Sequence, residues 1–122
     1  MRLLGNIIWI VFGGWMIALE YVVGGLALCL TLVGIPFGIQ CFKLAILGFA
    51  PFGQRPVPGR TLSGCLALPL NIIWLVFAGF WIFITHIFWG IIFAITIIGI
   101  PFAQQHFKLA GLAFAPFGRN YV

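Results

Sequence analysis

Apolar residues run through both halves of the chain in long stretches, and the few polar positions keep little of either period that would mark a water-facing side. A half-buried helix repeats every 3.6 residues and a half-buried strand every two, and neither alternation is sustained here. The outward surface must therefore face lipid. A β-barrel would need segments of about ten residues alternating apolar with polar, whereas a helix satisfies its backbone hydrogen bonds internally. The pattern predicts an all-α integral membrane protein.

Length sets the number of crossings. Leu4 to Lys43 as one helix would extend about 60 Å, twice the roughly 30 Å hydrocarbon core, so two crossings fit where one does not. A turn is expected at "EYVVGG", Glu20 to Gly25, and at the matching "THIFWG", Thr85 to Gly90. Glu20 and His86 are costly at mid-membrane and acceptable at the far interface. Four transmembrane helices are predicted, roughly 4–20, 25–44, 69–85 and 90–109. The first and third are short for full spans, which leaves a re-entrant hairpin as the alternative.

The chain is one unit written twice. "GIPFGIQCFKLAILGFAPFG", Gly34 to Gly53, returns as "GIPFAQQHFKLAGLAFAPFG", Gly99 to Gly118, and "NIIWIVFGGW" from Asn6 returns as "NIIWLVFAGF" from Asn71. At a register of 65, 25 of the 48 positions from Asn6 to Gly53 are identical to their counterparts, which identifies an internal duplication. Between the copies lies "QRPVPGRTLSGC", the polar stretch, with Pro56, Pro58 and Gly59 as breakers. The organisation expected is one membrane domain over 1–122, with repeat one at 6–53, an aqueous loop at 54–65 and repeat two at 71–118.

Composition agrees and adds orientation. Of 122 residues, 64% are hydrophobic and 6% charged, against about a quarter charged in a soluble domain. Two crossings per copy put Arg2, Lys43, Arg55, Arg60, Lys108 and Arg119 on one side, which the positive-inside rule makes the cytoplasm, with both termini there. A cleaved signal peptide is not expected, because the apolar run after Arg2 outlasts an ordinary hydrophobic region and no small-x-small site closes it. Cys29, Cys41 and Cys65 lack C-x-x-C spacing and matching partners in the other copy, so they read as small apolar fillers.

The repeated polar positions are the candidates for chemistry. Gly34 and Pro36, like Gly99 and Pro101, are expected inside the second helix of each copy, where proline removes a backbone hydrogen bond and kinks or breaks the helix. Gln40 and Lys43, like Gln105 and Lys108, share a helical face one turn from the expected cytoplasmic end. Each lysine either snorkels to the headgroups or points inward with Asn6 and Asn71 to bind an anion or a lipid phosphate. The asparagines also suit N-caps or interhelical hydrogen bonds, and Thr31 and Thr96 are expected to bond back to their own helices. Small residues such as Gly13-Gly14 and Gly34-x-x-x-Gly38 mark close helix packing, within the chain or between subunits. The "APFG" endings read as interfacial stops.

Enzymology has little support. Glu20 is the sole carboxylic side chain, which removes paired-carboxylate catalysis and hard-cation sites within one chain, and no Gly-rich phosphate loop occurs. In the expected topology His86 and His106 lie on opposite sides and form no two-histidine metal site within one subunit. No cofactor is implied, and the scattered cations orient the chain rather than bind nucleic acid.

The duplicated "GIPFGIQCFKLAILGFAPFG" with its "NIIW" partner resembles the YccF family, small bacterial inner-membrane proteins built from two copies of an inner-membrane component domain. The resemblance covers Asn6 to Gly53, Asn71 to Gly118 and the loop between, and implies a multi-pass inner-membrane location without implying a reaction. The residues themselves suggest a non-enzymatic homo-oligomeric ion channel or transport pore that favours a small anion, with membrane lipid as its surroundings. The alternative is a non-conducting scaffold that binds anionic lipid or a membrane partner through its basic side.

Overall fold

The computed structural model describes residues 1–59 and 64–122, so Arg60 and part of the 54–65 loop lie outside the described residues. The chain divides by its packing into two units, Met1–Gln54 and Arg55–Val122, each containing one helical hairpin.

In the first unit α1 (Arg2–Trp9), a π-helical turn (Ile10–Gly14) and α2 (Trp15–Cys29) run on as one 28-residue helix. At 1.5 Å per residue that is about 42 Å of helix. Gly13, at φ 148°, bends it, a backbone angle that a side chain would resist. The chain then reverses over Leu30–Gly34 and returns as α3 (Ile35–Phe49).

The second unit repeats this plan. Here α4 (Ala67–Trp74), a second π-helical turn (Leu75–Gly79) and α5 (Phe80–Ile95) make a 29-residue helix, which reverses over Thr96–Gly99 into α6 (Ile100–Phe114). A short 3-10 turn, Gly64–Leu66, precedes α4.

These boundaries correct the expected ones. Neither long helix breaks at Glu20–Gly25 or Thr85–Gly90, because nothing there forbids helical dihedrals and the tolerated glycines sit where the partner helix comes closest. A Cβ on Gly25 would fall 2.7 Å from Phe42 Cε1, and one on Gly38 would fall 2.6 Å from the Gly25 carbonyl oxygen. The small residues therefore close each hairpin on itself. Glu20 is left exposed along the helix rather than at a turn.

The prolines are also elsewhere in the element than expected. Pro36 and Pro101 occupy the first turns of α3 and α6, where no intrahelical N–H bond is available to lose. Of the two outcomes expected, a kink or a break, the chain shows the break: the helix stops at Cys29 or Ile95 and a new one starts at the proline. Asn6 and Asn71, likewise, are not N-caps, since their helices begin at Arg2 and Ala67.

Arg55–Val122 also contains the one departure from an all-helical fold among the described residues. Strand β1 (Pro56–Pro58) pairs antiparallel with β2 (Arg119–Tyr121), Val57 opposite Asn120. Arg55 and Val122 exchange two backbone bonds of 2.8 and 2.9 Å, and Gly59 N–H donates to the Gly118 carbonyl at 2.8 Å. Prolines are tolerated because a two-stranded ribbon leaves alternate N–H positions pointing away from the partner.

Two helices, Arg2–Cys29 and Ala67–Ile95, are long and apolar enough to cross a membrane. Their most apolar stretches are only 17% and 11% buried, unlike the core helix of a soluble protein. Leu19, Val23 and Leu26 on α2, and Trp81, Ile84 and Phe88 on α5, are exposed in succession, which suits a hydrocarbon solvent. At 15 residues each, α3 and α6 extend about 22 Å as helix, less than the roughly 30 Å core.

Candidate functional site

The repeated motifs meet at the open end of each hairpin. Trp9 Nε1–H donates 2.7 Å to the Gly48 carbonyl, and Trp74 Nε1–H donates 2.7 Å to the Ala113 carbonyl, both buried. Each indole lies over a glycine one and a half turns on: a Cβ on Gly79 would fall 2.5 Å from Trp74 Cδ1, and Gly14 is closed off by Trp9 in the same way. One turn earlier, Asn6 accepts from Phe52 N–H at 2.9 Å and donates to the Phe52 carbonyl at 3.2 Å. Asn71 does the same to Phe117, at 2.9 and 3.1 Å.

Each carboxamide thus pairs with a peptide group as a neighbouring strand would. "NIIW" and "APFG" are two halves of one clasp. The clasp ends at Gly53 (φ 91°) and Gly118 (φ 78°), in the left-handed region that glycine adopts without strain. Asn6 and Asn71, considered above as ligands for an anion, spend their amides on the hairpin itself.

The Gln–Lys pairs sit deeper than expected. Since α3 continues to Phe49 and α6 to Phe114, Lys43 and Lys108 stand six residues inside those helix ends, about 9 Å, rather than one turn. Both are half-buried. Gln40 is 4% exposed. Gln105 is half-buried, with Nε2 3.5 Å from the Pro101 carbonyl. The Oε1 atoms of both glutamines are buried and have no hydrogen-bond partner among the described residues. A buried acceptor without a protein partner costs about 1–3 kcal/mol, and both copies carry one at this position.

The histidines overturn a sequence expectation. His86 and His106, assigned above to opposite membrane sides, have their Nδ1 atoms 3.1 Å apart in the buried seam between α5 and α6. The chain reverses at Thr96–Gly99 and not at His86, which brings the two residues to one height. Phe93 stacks on His106 at 5.4 Å with 15° between planes. The same two positions in the first hairpin are Tyr21 and Cys41, also buried. Sequence reasoning missed the pair because a 65-residue register compares like positions, whereas this contact joins two different ones.

Among the described residues no group of three or more His, Cys, Asp or Glu side chains could hold a metal ion. Cys29, Cys41 and Cys65 are free thiols. Thr31 and Thr96 do bond back, to the Leu28 carbonyl at 2.9 Å and the Phe93 carbonyl at 2.7 Å.

Comparison with known proteins agrees with this duplicated architecture. The inner membrane component domain of the YccF family matches the chain twice, over residues 4–54 and 69–119. The inner membrane protein YccF of Escherichia coli strain K12 is 32% identical over 130 aligned residues, covering 100% of this chain and 88% of that protein. The inner membrane protein YccF of Shigella flexneri matches with the same identity and coverage. No solved structure matches the chain. With two domain matches and a relative aligned along its whole length, the chain belongs to the YccF family of bacterial inner-membrane proteins.

Proposed function

We propose that this protein is a non-enzymatic, homo-oligomeric inner-membrane channel or transport-type pore that favours small anions. The observation that carries the proposal is the repeated pair of Gln40 with Lys43 and Gln105 with Lys108, each lysine half-buried and six residues inside the C-terminal end of its helix. Lysines nearly two turns inside a 15-residue helix are more than terminal anchors, and intramembrane ionisable groups turn toward a protein interior or a wet cavity. The two orphan carboxamide oxygens support water at the same level.

In this reading each hairpin seam is a dry wall, packed by glycines and clasped at its open end. The pathway runs between walls supplied by several subunits, with the ammonium groups raising the local anion concentration. In the same reading both hairpins enter from the cytoplasmic side and both termini remain there, an orientation that the distribution of basic residues supports.

The second reading, a non-conducting scaffold that binds anionic lipid or a membrane partner, is favoured by the clasps, which make each hairpin a sealed unit. Flux measurements on purified protein in liposomes separate the two. Halide efflux that loses rate or selectivity in Lys43→Gln plus Lys108→Gln is the expected result. Sealed vesicles with protein that is folded and inserted would replace the channel by the scaffold.

A further inference from the structure

We propose that the closed end of each hairpin is built to lie among lipid acyl chains and does not emerge into the water beyond the far leaflet. The inference concerns each hairpin by itself and holds whether or not a solute permeates.

Side chains make the first argument. The reversal of the first hairpin exposes Leu30, Leu32 and Val33, and that of the second exposes Ile95, Ile97 and Ile98. Leu32 is 86% exposed and Ile98 88%, values that a turn in water would give to Gly, Asn, Asp or Ser. Neither reversal carries a charged residue or the Trp and Tyr that settle at a membrane–water interface. The polar side chains there are Thr31 and Thr96, and each hydroxyl is occupied twice. It donates to a helix carbonyl and accepts from the N–H of Gly34 or Gly99, at 3.0 Å in both copies.

The backbone makes the second argument. From Thr96 to Ile100 every N–H finds an acceptor inside the turn. Thr96 donates to Phe93, Ile97 to Ala94, Ile98 to Thr96 and Ile100 to Ile97, at 2.6–3.4 Å, while Gly99 uses the Thr96 hydroxyl. Pro101 follows and has no N–H to satisfy. Water would supply these bonds freely at an exposed loop, whereas hydrocarbon supplies none, so irregular backbone in a bilayer must close on itself.

The third argument is strain. Ile97 adopts φ 61°, a left-handed conformation that is an outlier for a β-branched residue. Glycine or asparagine would relieve it in a soluble turn. An isoleucine held there keeps the tip apolar at the expense of local comfort, which is the preference of a surface solvated by acyl chains.

Site-directed thiol labelling tests this in liposomes of phosphatidylethanolamine and phosphatidylglycerol. Leu32→Cys, Ile98→Cys and Val122→Cys are made singly with Cys29, Cys41 and Cys65 replaced by alanine. A membrane-impermeant maleimide, applied first outside and then on both sides, is expected to modify Val122→Cys and to leave both tip cysteines unmodified until the membrane is dissolved. Modification of either tip cysteine in sealed or freeze–thawed vesicles overturns the proposal for that hairpin.

A second measurement needs no substitution. In the unmodified protein in the same lipids, the amides of Thr96–Ile100, each of which has an acceptor in the turn, are expected to exchange deuterium at least 100-fold more slowly than the same residues in an unstructured peptide. Exchange at the peptide rate overturns the proposal for that hairpin.

Discussion

His86 and His106 face each other through their Nδ1 atoms, 3.1 Å apart, in the buried seam of the second hairpin. Two neutral imidazoles meet this closely when one presents N–H and the other a lone pair, so the tautomer of each is set by its partner. Tyr21 and Cys41 fill the same places in the first hairpin without a histidine.

Removing one member of the histidine pair should be worse than exchanging both. His106→Leu leaves His86 with an unmatched buried nitrogen and should cost about 1–3 kcal/mol. His86→Tyr with His106→Cys installs the pair that the first hairpin already packs and should cost less than half as much. Thermal unfolding of the detergent-solubilised protein measures both. Equal destabilisation would mean that the hydrogen bond is not what the site requires.

The asparagine clasp predicts a loss in either copy. Asn71→Leu removes two hydrogen bonds to Phe117 and leaves a part-buried peptide group unpaired, a cost of about 2 kcal/mol. Asn71→Asp keeps an acceptor for Phe117 N–H but sets a carboxylate oxygen against the Phe117 carbonyl, so it should not rescue. Limited proteolysis after Phe117 reports the clasp directly, and cleavage should rise in both variants. Unchanged cleavage would show that the β1–β2 ribbon alone holds this end.

Glycines should divide sharply by position. Gly79→Ala drives a methyl into the Trp74 ring and should cost about 1–3 kcal/mol by overpacking. Gly118→Ala, at φ 78°, should cost about 1–2 kcal/mol through backbone strain. Gly111→Ala meets nothing within 4 Å and lies inside α6, so it should stabilise by about 0.5–1 kcal/mol. Unfolding midpoints of the three variants, compared in one detergent, give the order. A destabilising Gly111→Ala would point to a close neighbour in an assembled oligomer.

Trp74→Phe separates hydrogen bonding from packing at the same clasp. It keeps most of the buried aromatic area but strands the Ala113 carbonyl, for a loss of about 1–3 kcal/mol. The near-ultraviolet signal and the melting temperature should fall together. If Phe is tolerated, shape rather than the Nε1–H bond selects tryptophan.

Several features could be read from residue order because they depend on composition and period alone. Apolar runs without a water-facing side announced a bilayer, the 65-residue register announced two copies, and total length announced that each copy doubles back. The bonding of Thr31 and Thr96 to their own helices is also local, reaching only three residues back. Each of these is decided by neighbours in sequence or by the solvent the chain demands.

Where each copy doubles back was a different matter. The cost of Glu20 and His86 in hydrocarbon suggested turns at those residues, yet helix propensity does not break at either, and Gly25 against Gly38 holds the helices together through that level. The reversal sits instead where Thr-x-x-Gly-x-Pro can close every N–H of the second turn and start a new helix at proline. Moving the turn by about ten residues changed everything that depends on height. Lys43 and Lys108 went deeper, and His86 met His106.

Residue order by itself determined the solvent, the duplication and the helical class, since hydrophobic burial and backbone satisfaction in lipid act on any chain of this composition. Only the tertiary structure decided the partners. A hydrogen bond between Asn71 and Phe117, or between two imidazoles twenty residues apart, depends on where two helices cross, and that is set by small residues and a capped turn whose individual propensities are too weak to announce it.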